Sequence, residues 1–381
     1  MMLIKPQYIA RHALGSTRHF TTSRPSPAKQ KVVVFGGNGF LGKYVARGFI
    51  QDADTTVQLV GRTKNDALRH LGNQILPSVS VDILDRQAIM EATQEANVVV
   101  NLVGIMHEKK PKYTFDNVQH LGARNIALAA KEAGARLVHV SAIGANPDST
   151  IPYAKSKGLG EIAVHDTLPE SVILRPSLVF GPEDDFFNRF SKLAKILPFV
   201  PVFGGGKTKF QPVYVWDVAK AVVKCATDKS VSGRIVELGG PKVYTYREMM
   251  QLCLDQAGTK RPILSLPWAV GMVQGFFLEK LPLNLFTLTQ DQVRLLRHDN
   301  IVSGTELSLT DLGIKATPAE RILYTYLRAH GLTSKNKRTH RMIQPSIEDE
   351  LRQIQEIRKQ TPPNLEKELE HMMNPRPRKR V

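Results

Sequence analysis

The stretch Lys31-Val-Val-Val-Phe-Gly36-Gly-Asn-Gly39-Phe-Leu-Gly42 decides the fold of this 381-residue chain. Its apolar run, rich in β-branched residues, predicts a buried parallel strand. The three glycines, spaced three residues apart, permit a tight turn and a close approach of the backbone to a pyrophosphate. The free N–H groups at the start of the following helix favour a phosphate. The stretch therefore predicts a strand–loop–helix unit that binds a nucleotide.

Strand-like and helix-like segments alternate after this unit. Further strands are predicted at residues 56–60, 79–82, 96–104, 137–141 and 172–177, and helices at 122–134 and 246–257. This alternation predicts an α/β fold, a Rossmann-type doubly wound parallel sheet with right-handed crossovers. We predict that residues 31–255 form the nucleotide-binding domain and residues 256–332 a smaller C-terminal lobe for substrate or partner.

The two ends of the chain differ in composition from this core. Residues 1–30 contain five lysines or arginines, several serines and threonines, and no acidic residue. Such a leader is typical of a mitochondrial transit peptide, and a disordered basic arm is the alternative. Residues 333–381 are polar and basic, which predicts a partly disordered tail. We therefore expect a mitochondrial protein on the matrix side of the inner membrane.

The formal net charge is +17. This charge is compatible with nucleic acid, anionic lipid or an acidic protein as partner. The chain lacks recognition-helix, zinc and RNA-binding signatures, so we expect no specific nucleic acid, and RNA binding through the tail is a weaker alternative. The two cysteines, Cys225 and Cys253, have neither metal-ligand nor disulfide-framework spacing and are predicted to be core residues.

The residues after the second predicted strand indicate which dinucleotide binds. An acidic side chain there binds the ribose 2′-hydroxyl of NAD, whereas a basic one suits the 2′-phosphate of NADP. This chain has Arg62 and Lys64 and no acid, so NADP(H) is favoured over NAD(H). Asp82, after the third strand, is predicted to meet the adenine edge.

Ser141, Tyr153 and Lys157 are the candidate catalytic residues. Tyr153 and Lys157 are four residues apart and share a helix face. The lysine can stabilise a phenolate and reach the nicotinamide ribose, while the serine orients a substrate carbonyl for hydride transfer. The alternative is that the pair only holds the cofactor. Downstream, Asp217 is predicted to be a helix N-cap.

Residues 262–278 carry no charge and are interrupted by Pro267 and Gly271. The segment is short and broken for a membrane-spanning helix. A buried or partner-facing apolar segment is one interpretation, and contact with the inner-membrane surface or with lipid tails is the other.

These motifs resemble the short-chain dehydrogenase/reductase superfamily, in its extended or atypical branch. The resemblance covers residues 31 to about 255 and includes Arg175-Pro176 and Val215-x-Asp217-Val-Ala219. It implies a set of cofactor-binding residues along the predicted nucleotide cleft. These are Gly36, Asn38, Gly39, Phe40, Leu41, Gly42, Arg62, Asp82, Asn101, Val103, Tyr153, Lys157 and Pro176.

A narrower resemblance is to the nucleotide-binding accessory subunits of mitochondrial NADH:ubiquinone oxidoreductase (complex I). It depends on His139-Val-Ser141-x-x-Gly-Ala-Asn-Pro147, Phe210-Gln-Pro-Val-Tyr-Val215 and Asp311-Leu-Gly-Ile314-x-Ala-Thr-Pro318. It implies bound NADPH, complex I subunits as partners and a structural or assembly role. The glycine loop also resembles that of a dehydrogenase-like protein of the coenzyme Q synthesis complex, so an NADP-dependent oxidoreductase near ubiquinone synthesis is the alternative.

Overall fold

The computed structural model describes residues 30–279, 285 and 287–327. The predicted transit peptide, apart from its last residue, and the predicted basic tail lie outside the described residues. The strands are β1 Gln30–Phe35, β2 Thr55–Gly61, β3 Val79–Ser80, β4 Val98–Asn101, β5 Arg136–Val140, β6 Val172–Pro176, β7 Val179–Phe180, β8 Val200–Phe203, β9 Lys209–Phe210, β10 Val213–Tyr214, β11 Ile235–Leu238, β12 Tyr244–Thr245, β13 Ile263–Leu266 and β14 Leu307–Ser308.

The described helices lie between these strands. They are α1 Phe40–Phe49, α2 Arg86–Thr93, α3 Gly122–Glu132, α4 Pro152–Thr167, α5 Phe186–Ile196, α6 Val215–Thr227, α7 Tyr246–Ala257, α8 Trp268–Leu278, α9 Gln290–Leu295 and α10 Ala319–Leu327. A π-helical stretch, Asp116–Leu121, leads directly into α3. The helix predicted at 246–257 is confirmed, and its N-terminus is closed by a capping box between Thr245 and Glu248.

Eight of the strands form one parallel sheet in the order β14-β11-β6-β5-β4-β1-β2-β3. The chain moves outward from β1 to β3, returns to β4 beside β1, and then moves outward in the other direction. The doubly wound parallel sheet predicted from the alternation of strands and helices is therefore confirmed. The reversal between β1 and β4 opens a crevice at the carboxyl ends of the strands, which is where such sheets bind ligands.

Both faces of the sheet are covered by helices. Along β1 the side chains of Val32 and Val34 enter one apolar cluster, whereas those of Val33 and Phe35 enter a second cluster on the opposite face. Because successive strand side chains alternate between faces, a continuous apolar run such as Val32-Val-Val-Phe is buried on both sides. Cys225 and Cys253 are buried free thiols, as predicted.

The segments after β6 add smaller units at the carboxyl ends of the central strands. β13 pairs in parallel with β8, and β12 pairs antiparallel with β9. β14, which comes from the segment predicted to form the C-terminal lobe, pairs with β11 in the main sheet. These units, together with α5 and α9, build a second wall opposite the nucleotide crevice.

The apolar segment 262–278 divides into β13 and α8, with Pro267 immediately before the helix. Gly271 and Gly275 are buried against the rest of the protein, whereas Val273 and Phe277 are 58% and 62% exposed. One face of α8 is thus packed and the other is open. Among the described residues, no helix combines the length and the apolar character needed to cross a membrane.

Candidate functional site

The glycine loop is a close-packed turn between β1 and α1. Gly36 has φ +77°, and a Cβ there would lie 3.1 Å from the carbonyl carbon of Leu102. A Cβ on Gly42 would overlap the backbone of Gly37, so only glycine lets α1 begin this close to β1. These two glycines let α1 begin close to β1, at the place where the sequence predicts a bound nucleotide.

Gly39 differs from these two glycines, because a Cβ there would meet a single neighbouring atom instead of several. It is the N-cap of α1, makes no side-chain capping hydrogen bond, and is followed by no acidic residue in the first turn. The nearest atom to a Cβ on Gly39 is the carbonyl oxygen of Gly36, at 3.2 Å. The Gly39 N–H itself donates to the Gly36 carbonyl oxygen over 3.0 Å. The N–H groups of the first turn of α1, which have no carbonyl partner within the helix, fit a pyrophosphate. Phe40 and Leu41 are partly buried against the core, which holds the helix start in place.

Asn38 closes the loop toward β2. Its Nδ2 donates to the carbonyl oxygen of Thr63 over 2.6 Å, next to Arg62. Its Oδ1 is buried and has no hydrogen-bond partner in the described structure. An acceptor left open at the end of β2 fits a hydroxyl or amide donor of a bound dinucleotide.

Arg62 and Asp82 lie at one side chain cluster with two residues that sequence reasoning missed. The guanidinium of Arg62 lies 5.0 Å from the ring centroid of Tyr113. Tyr113 donates its hydroxyl to Asp82 over 3.0 Å, and Lys112 pairs with the same carboxylate at 2.6 Å. Burial acts to raise the pKa of Asp82, but hydrogen bonds from Lys112, the Leu84 N–H and Tyr113 outweigh it and lower the pKa. The run Lys109-Lys110-Pro-Lys112-Tyr113 was the available signal.

Asn101 and Val103 form the turn after β4. The Asn101 Oδ1 accepts the Val103 N–H over 3.0 Å, and its Nδ2 lies 3.0 Å from His139 Nδ1. Burial, together with the charge of Lys157, lowers the pKa of His139 to about 3, so this imidazole is neutral at pH 7. Asn101 therefore fixes the turn that borders the crevice next to the glycine loop.

Ser141 directly follows β5, and Tyr153 and Lys157 lie on α4. Lys157 is buried, and its Nζ donates to the Val140 carbonyl oxygen over 3.2 Å. Burial lowers the pKa of Lys157 to about 8, although Glu161 opposes the shift. Burial also raises the pKa of Tyr153 to about 12, so the phenol is protonated at neutral pH. The Ser141 Oγ is buried and has no partner in the described structure.

Gln119, also missed from the sequence, fixes the start of α4. Its Nε2 donates to Ser156 Oγ over 2.8 Å, and its Oε1 accepts the Ile105 N–H over 3.1 Å. Any Cβ on Gly160 would overlap the Gln119 carbonyl oxygen, so α4 packs directly on the π-helical stretch. π-helical turns occur frequently at functional sites. The sequence does not reveal that residues 116–121 form one, so the role of Gln119 could not be predicted.

Pro176 ends β6 and borders the same space as Ser141 and Tyr153. The next residue, Ser177, donates to Asn300 Oδ1 over 2.6 Å, and Asn300 Nδ2 donates to the Ile143 carbonyl oxygen over 3.2 Å. Asn300 therefore ties the turns after β5 and β6 to a segment more than a hundred residues away. No local pattern announces this role.

Asp217 is not a helix N-cap, and that prediction is wrong. The N-cap of α6 is Tyr214, so Asp217 lies within the first turn. Its carboxylate is completely buried, accepts the Thr317 N–H over 2.7 Å and pairs with Lys220 at 3.4 Å. The helix begins three residues earlier than a capping role would require, and the aspartate holds the chain before α10 instead.

A cavity of about 860 Å³ lies between the catalytic candidates and the second wall. One side is formed by residues around β5, α4 and β6, including Ser141, Tyr153 and Pro176. The other side is formed largely by apolar residues of α5, β8, β9 and α9. These include Phe186, Phe190, Leu193, Leu197, Phe203, Phe210 and Leu295.

The residues fit a dinucleotide in the crevice: the start of α1 at Gly39 would hold its phosphates, and Tyr153 and Lys157 would hold its nicotinamide end. When bound, such a cofactor supplies hydride transfer. Tyr153, protonated and adjoining the cavity, can donate a proton to a substrate oxygen, and Ser141 can hold that oxygen. Lys157, beneath them, can contact the ribose whether or not a reaction occurs.

Comparison with known proteins agrees with this geometry. Residues 32–239 match the model of the NAD dependent epimerase/dehydratase family. Subunit 9 of the mitochondrial NADH dehydrogenase [ubiquinone] 1 alpha subcomplex from Arabidopsis thaliana is 35% identical over 78% of this chain and 77% of that protein. The Mus musculus protein of the same name is 32% identical over 87% of this chain and 86% of its own. A ceramide reductase from Caulobacter vibrioides is 32% identical over 63% of this chain and 74% of its own.

Solved structures share the fold at lower identity. The dTDP-glucose 4,6-dehydratase from Streptomyces venezuelae, solved with NAD bound, aligns with a TM-score of 0.59 at 19% identity, covering 78% of this chain and 96% of that one. The UDP-glucose 4-epimerase from Thermotoga maritima aligns with a TM-score of 0.58 at 16% identity, covering 78% and 97%. With an open phosphate cradle, a Tyr–Lys pair on α4 and a family match across most of the sheet, the chain belongs to the NAD dependent epimerase/dehydratase family.

Proposed function

We propose that this protein is an accessory subunit of mitochondrial complex I that holds NADP(H) and serves the structure or assembly of the complex. The observation that carries the proposal is the similarity to subunit 9 proteins along 78–87% of the chain, which extends beyond the nucleotide-binding family match at residue 239. By the same similarity the protein is mitochondrial. The basic, acid-free leader of the sequence supports the further proposal that it lies on the matrix side of the inner membrane.

Arg62 supports NADP(H) as the bound dinucleotide. It follows β2, where the ribose 2′ position of a dinucleotide lies in this fold, and no acidic residue stands beside it. Lys112 in the same cluster is paired with Asp82 at 2.6 Å, so its charge is offset there. An arginine that is unpaired among the described residues and lies near a 2′-phosphate favours NADP(H) over NAD(H), because charge-assisted hydrogen bonds to phosphate are the strong ones.

The Ser141, Tyr153 and Lys157 group is proposed to bind the nicotinamide end of the cofactor. Lys157 is buried and already satisfied in part by the Val140 carbonyl oxygen. This arrangement suits a lysine that contacts a ribose hydroxyl. A permanently bound cofactor needs the Lys157 contact even if no substrate is turned over, whereas the Tyr153 hydroxyl is needed only for turnover.

The second candidate function is an NADP-dependent oxidoreductase that acts on a carbonyl compound, in or near ubiquinone synthesis. The observation that favours it is the unpartnered Ser141 Oγ beside a protonated Tyr153 on the cavity wall. The similarity to a ceramide reductase from Caulobacter vibrioides points in the same direction.

The test is to isolate the protein gently from mitochondria, size its native complex and measure NADP(H) released from the same fraction. Co-migration with complex I and about one NADP(H) per protein is the expected result. A smaller assembly with freely exchanging cofactor would reject the accessory role and favour the oxidoreductase.

Matched variants separate the two functions. Gly39→Asp places a carboxylate in the phosphate cradle and should abolish cofactor retention, whereas Gly39→Ala, which meets only the Gly36 carbonyl at 3.2 Å, should reduce it modestly. Tyr153→Phe should leave cofactor content and complex I assembly unchanged under the first function. Loss of a measured reduction with normal assembly would support the second.

A further inference from the structure

The cavity beyond Ser141 and Tyr153 is larger and more apolar than the proposed role in holding NADP(H) requires. Its volume of about 860 Å³ lies toward the upper end for ligand-binding pockets. Much of its wall is aromatic or aliphatic, including the buried Leu193, Phe203 and Phe210. We propose that this cavity binds the aliphatic tail of an amphiphile, an acyl or prenyl chain, whose neutral polar group lies at Ser141 and Tyr153.

The cavity wall offers little positive charge to a ligand. Among the described residues that line the cavity, Arg189 is the only arginine or lysine. Its Nη1 donates to the Thr287 carbonyl oxygen over 3.0 Å, and its Nη2 lies 3.5 Å from the Asp185 carboxylate. A nucleotide diphosphate needs cationic partners that are free to bind it. The wall therefore suits a ligand without a phosphate.

His107, which also lines the cavity, is uncharged. Burial, together with the charge of Arg189, lowers its pKa, so the imidazole is neutral at pH 7. Its Nδ1 is buried and has no partner among the described residues, as is the case for the Ser141 Oγ. Two unpaired polar atoms on the wall predict a ligand with a neutral polar group, such as a carbonyl or hydroxyl, because buried polar groups are rarely left unpaired.

Part of the cavity wall is apolar and only partly buried by the protein itself. Phe186, Phe190 and Leu197 of the α5 segment line the cavity with only part of their surface buried by the protein. Each methylene group that such a wall removes from water contributes about 0.8 kcal/mol to binding, so a long chain gains far more than a short one. A chain-like hydrocarbon meets the shape and the chemistry of this wall better than a sugar does.

The inference goes beyond the proposed accessory role, since it concerns the cavity whether or not the protein joins complex I. The experiment uses the full-length protein with its NADP(H) bound. The probe is the methyl ester of a fluorescent long-chain polyene fatty acid, titrated with and without competing saturated acyl esters, prenyl alcohols or short-chain esters of the same head group.

Saturable binding of the probe, competed by long chains and not by short ones, is the expected result. Displacement by acyl esters or by prenyl alcohols would identify which kind of tail is preferred. Failure of the probe to bind, or equal competition by the short-chain ester, would overturn the proposal. Cofactor content and complex I co-migration, measured on the same preparation, report separately on the proposed function.

Variants locate the binding. Leu197→Trp fills part of the cavity and should weaken probe binding about tenfold, the effect of losing the burial of about two methylene groups. The neighbouring Ile196 is 61% exposed and does not line the cavity, so Ile196→Trp is the matched control. Phe277→Ser tests the exposed face of α8, which is a second apolar surface.

Equal weakening by Ile196→Trp or Phe277→Ser would place the probe on the surface and reject the cavity. Should Leu197→Trp fail to fold, Phe190→Gln, with Ile196→Gln as its control, gives the same comparison through polarity instead of volume. Unchanged probe affinity in the folded cavity variant would likewise overturn the inference.

Discussion

The nucleotide crevice and the cavity beyond it are built in opposite ways. The crevice depends on backbone contacts. Glycines within one seven-residue loop pack against each other and against the turn after β4. The cavity depends on side chains that join segments far apart, such as Ser177 with Asn300 and Asp184 with Tyr326. Cofactor binding is therefore encoded locally, whereas the ligand space opposite it exists only once distant segments have packed.

This difference predicts that the cavity side carries the largest single-residue effect on stability. The buried Asp184 carboxylate accepts the N–H groups of Gly181 and Phe187 and the hydroxyl of Tyr326. Asp184→Ala would leave these donors unpaired and is expected to lower the free energy of unfolding by about 3–5 kcal/mol, since each buried unpaired donor costs about 1–3 kcal/mol. Urea denaturation measures the change.

The neighbouring Asp185 is the control, because its side chain is 83% exposed. Asp185→Ala should change the free energy of unfolding by no more than about 0.5 kcal/mol, as for most surface substitutions. Equal losses for the two variants would show that the buried network does not carry the stability of this region.

The same carboxyl should make the stability of the cavity side depend on pH. Burial raises the pKa of Asp184 to about 6, although hydrogen bonds from Tyr326 and from backbone N–H groups oppose the shift. The folded protein therefore binds a proton at Asp184 more tightly than the unfolded chain does. The contribution of this proton to the free energy of unfolding is fully present below about pH 4 and is lost as the pH rises through 6. The loss should amount to about 3 kcal/mol, at about 1.4 kcal/mol for each unit of pKa difference.

The measurement is the free energy of unfolding between pH 4 and 7 for the wild type and for Asp184→Asn, which does not titrate. The difference between the two proteins should change across this range. Parallel curves would show that Asp184 is ionised throughout and that its hydrogen bonds outweigh its burial.

On the crevice side, Gly42→Ala should lower the free energy of unfolding less than Asp184→Ala does, but it should abolish cofactor binding. A Cβ on Gly42 overlaps the backbone of Gly37, so α1 must move away from the loop. Overpacking of this kind typically costs about 1–3 kcal/mol. Thermal unfolding and NADP(H) content measure the two effects, and Gly39→Ala is the control. Retention of NADP(H) by a folded Gly42→Ala protein would contradict the role of this glycine.

The smallest expected effect is a change of preference with no change of fold. Arg62 is exposed, and its guanidinium lies over Tyr113. Arg62→Asp should shift the preference from NADP toward NAD by about 1.5–3 kcal/mol, the contribution of a hydrogen bond to a charged group. Competition binding of the two dinucleotides measures the shift, with Lys64→Asp as the comparison. An unaltered preference would remove Arg62 from the 2′-phosphate site.

The elements that follow from local pattern were predictable. The runs Lys31–Phe35 and Val172–Pro176 are strands buried on both faces, and Tyr246–Ala257 is a helix with the predicted bounds. Glycine spacing and apolar runs carry this information because they reflect constraints on the backbone within a few residues. The two-residue strands β7, β9 and β10 have no such signature, since they depend on their partners.

The site divides along the same line. The glycine loop and the Tyr153–Lys157 spacing can be read in the chain itself, whereas Lys112, Gln119 and Asn300 acquire their roles from contacts with other segments. Asp217 shows how far local pattern can be trusted. Its residue type and position suggested a helix N-cap, but its buried carboxylate instead accepts the N–H of the distant Thr317.

The sequence by itself determined the parallel sheet, the phosphate cradle and the residue types of the Tyr–Lys pair, because each depends on spacing along one continuous segment. Only the tertiary structure decided that α5, β8, β9 and α9 enclose an apolar cavity beside Ser141. The shape and polarity of that cavity arise from side chains that meet across more than a hundred residues of sequence, as Ser177 and Asn300 do. No local periodicity in the sequence predicts such contacts.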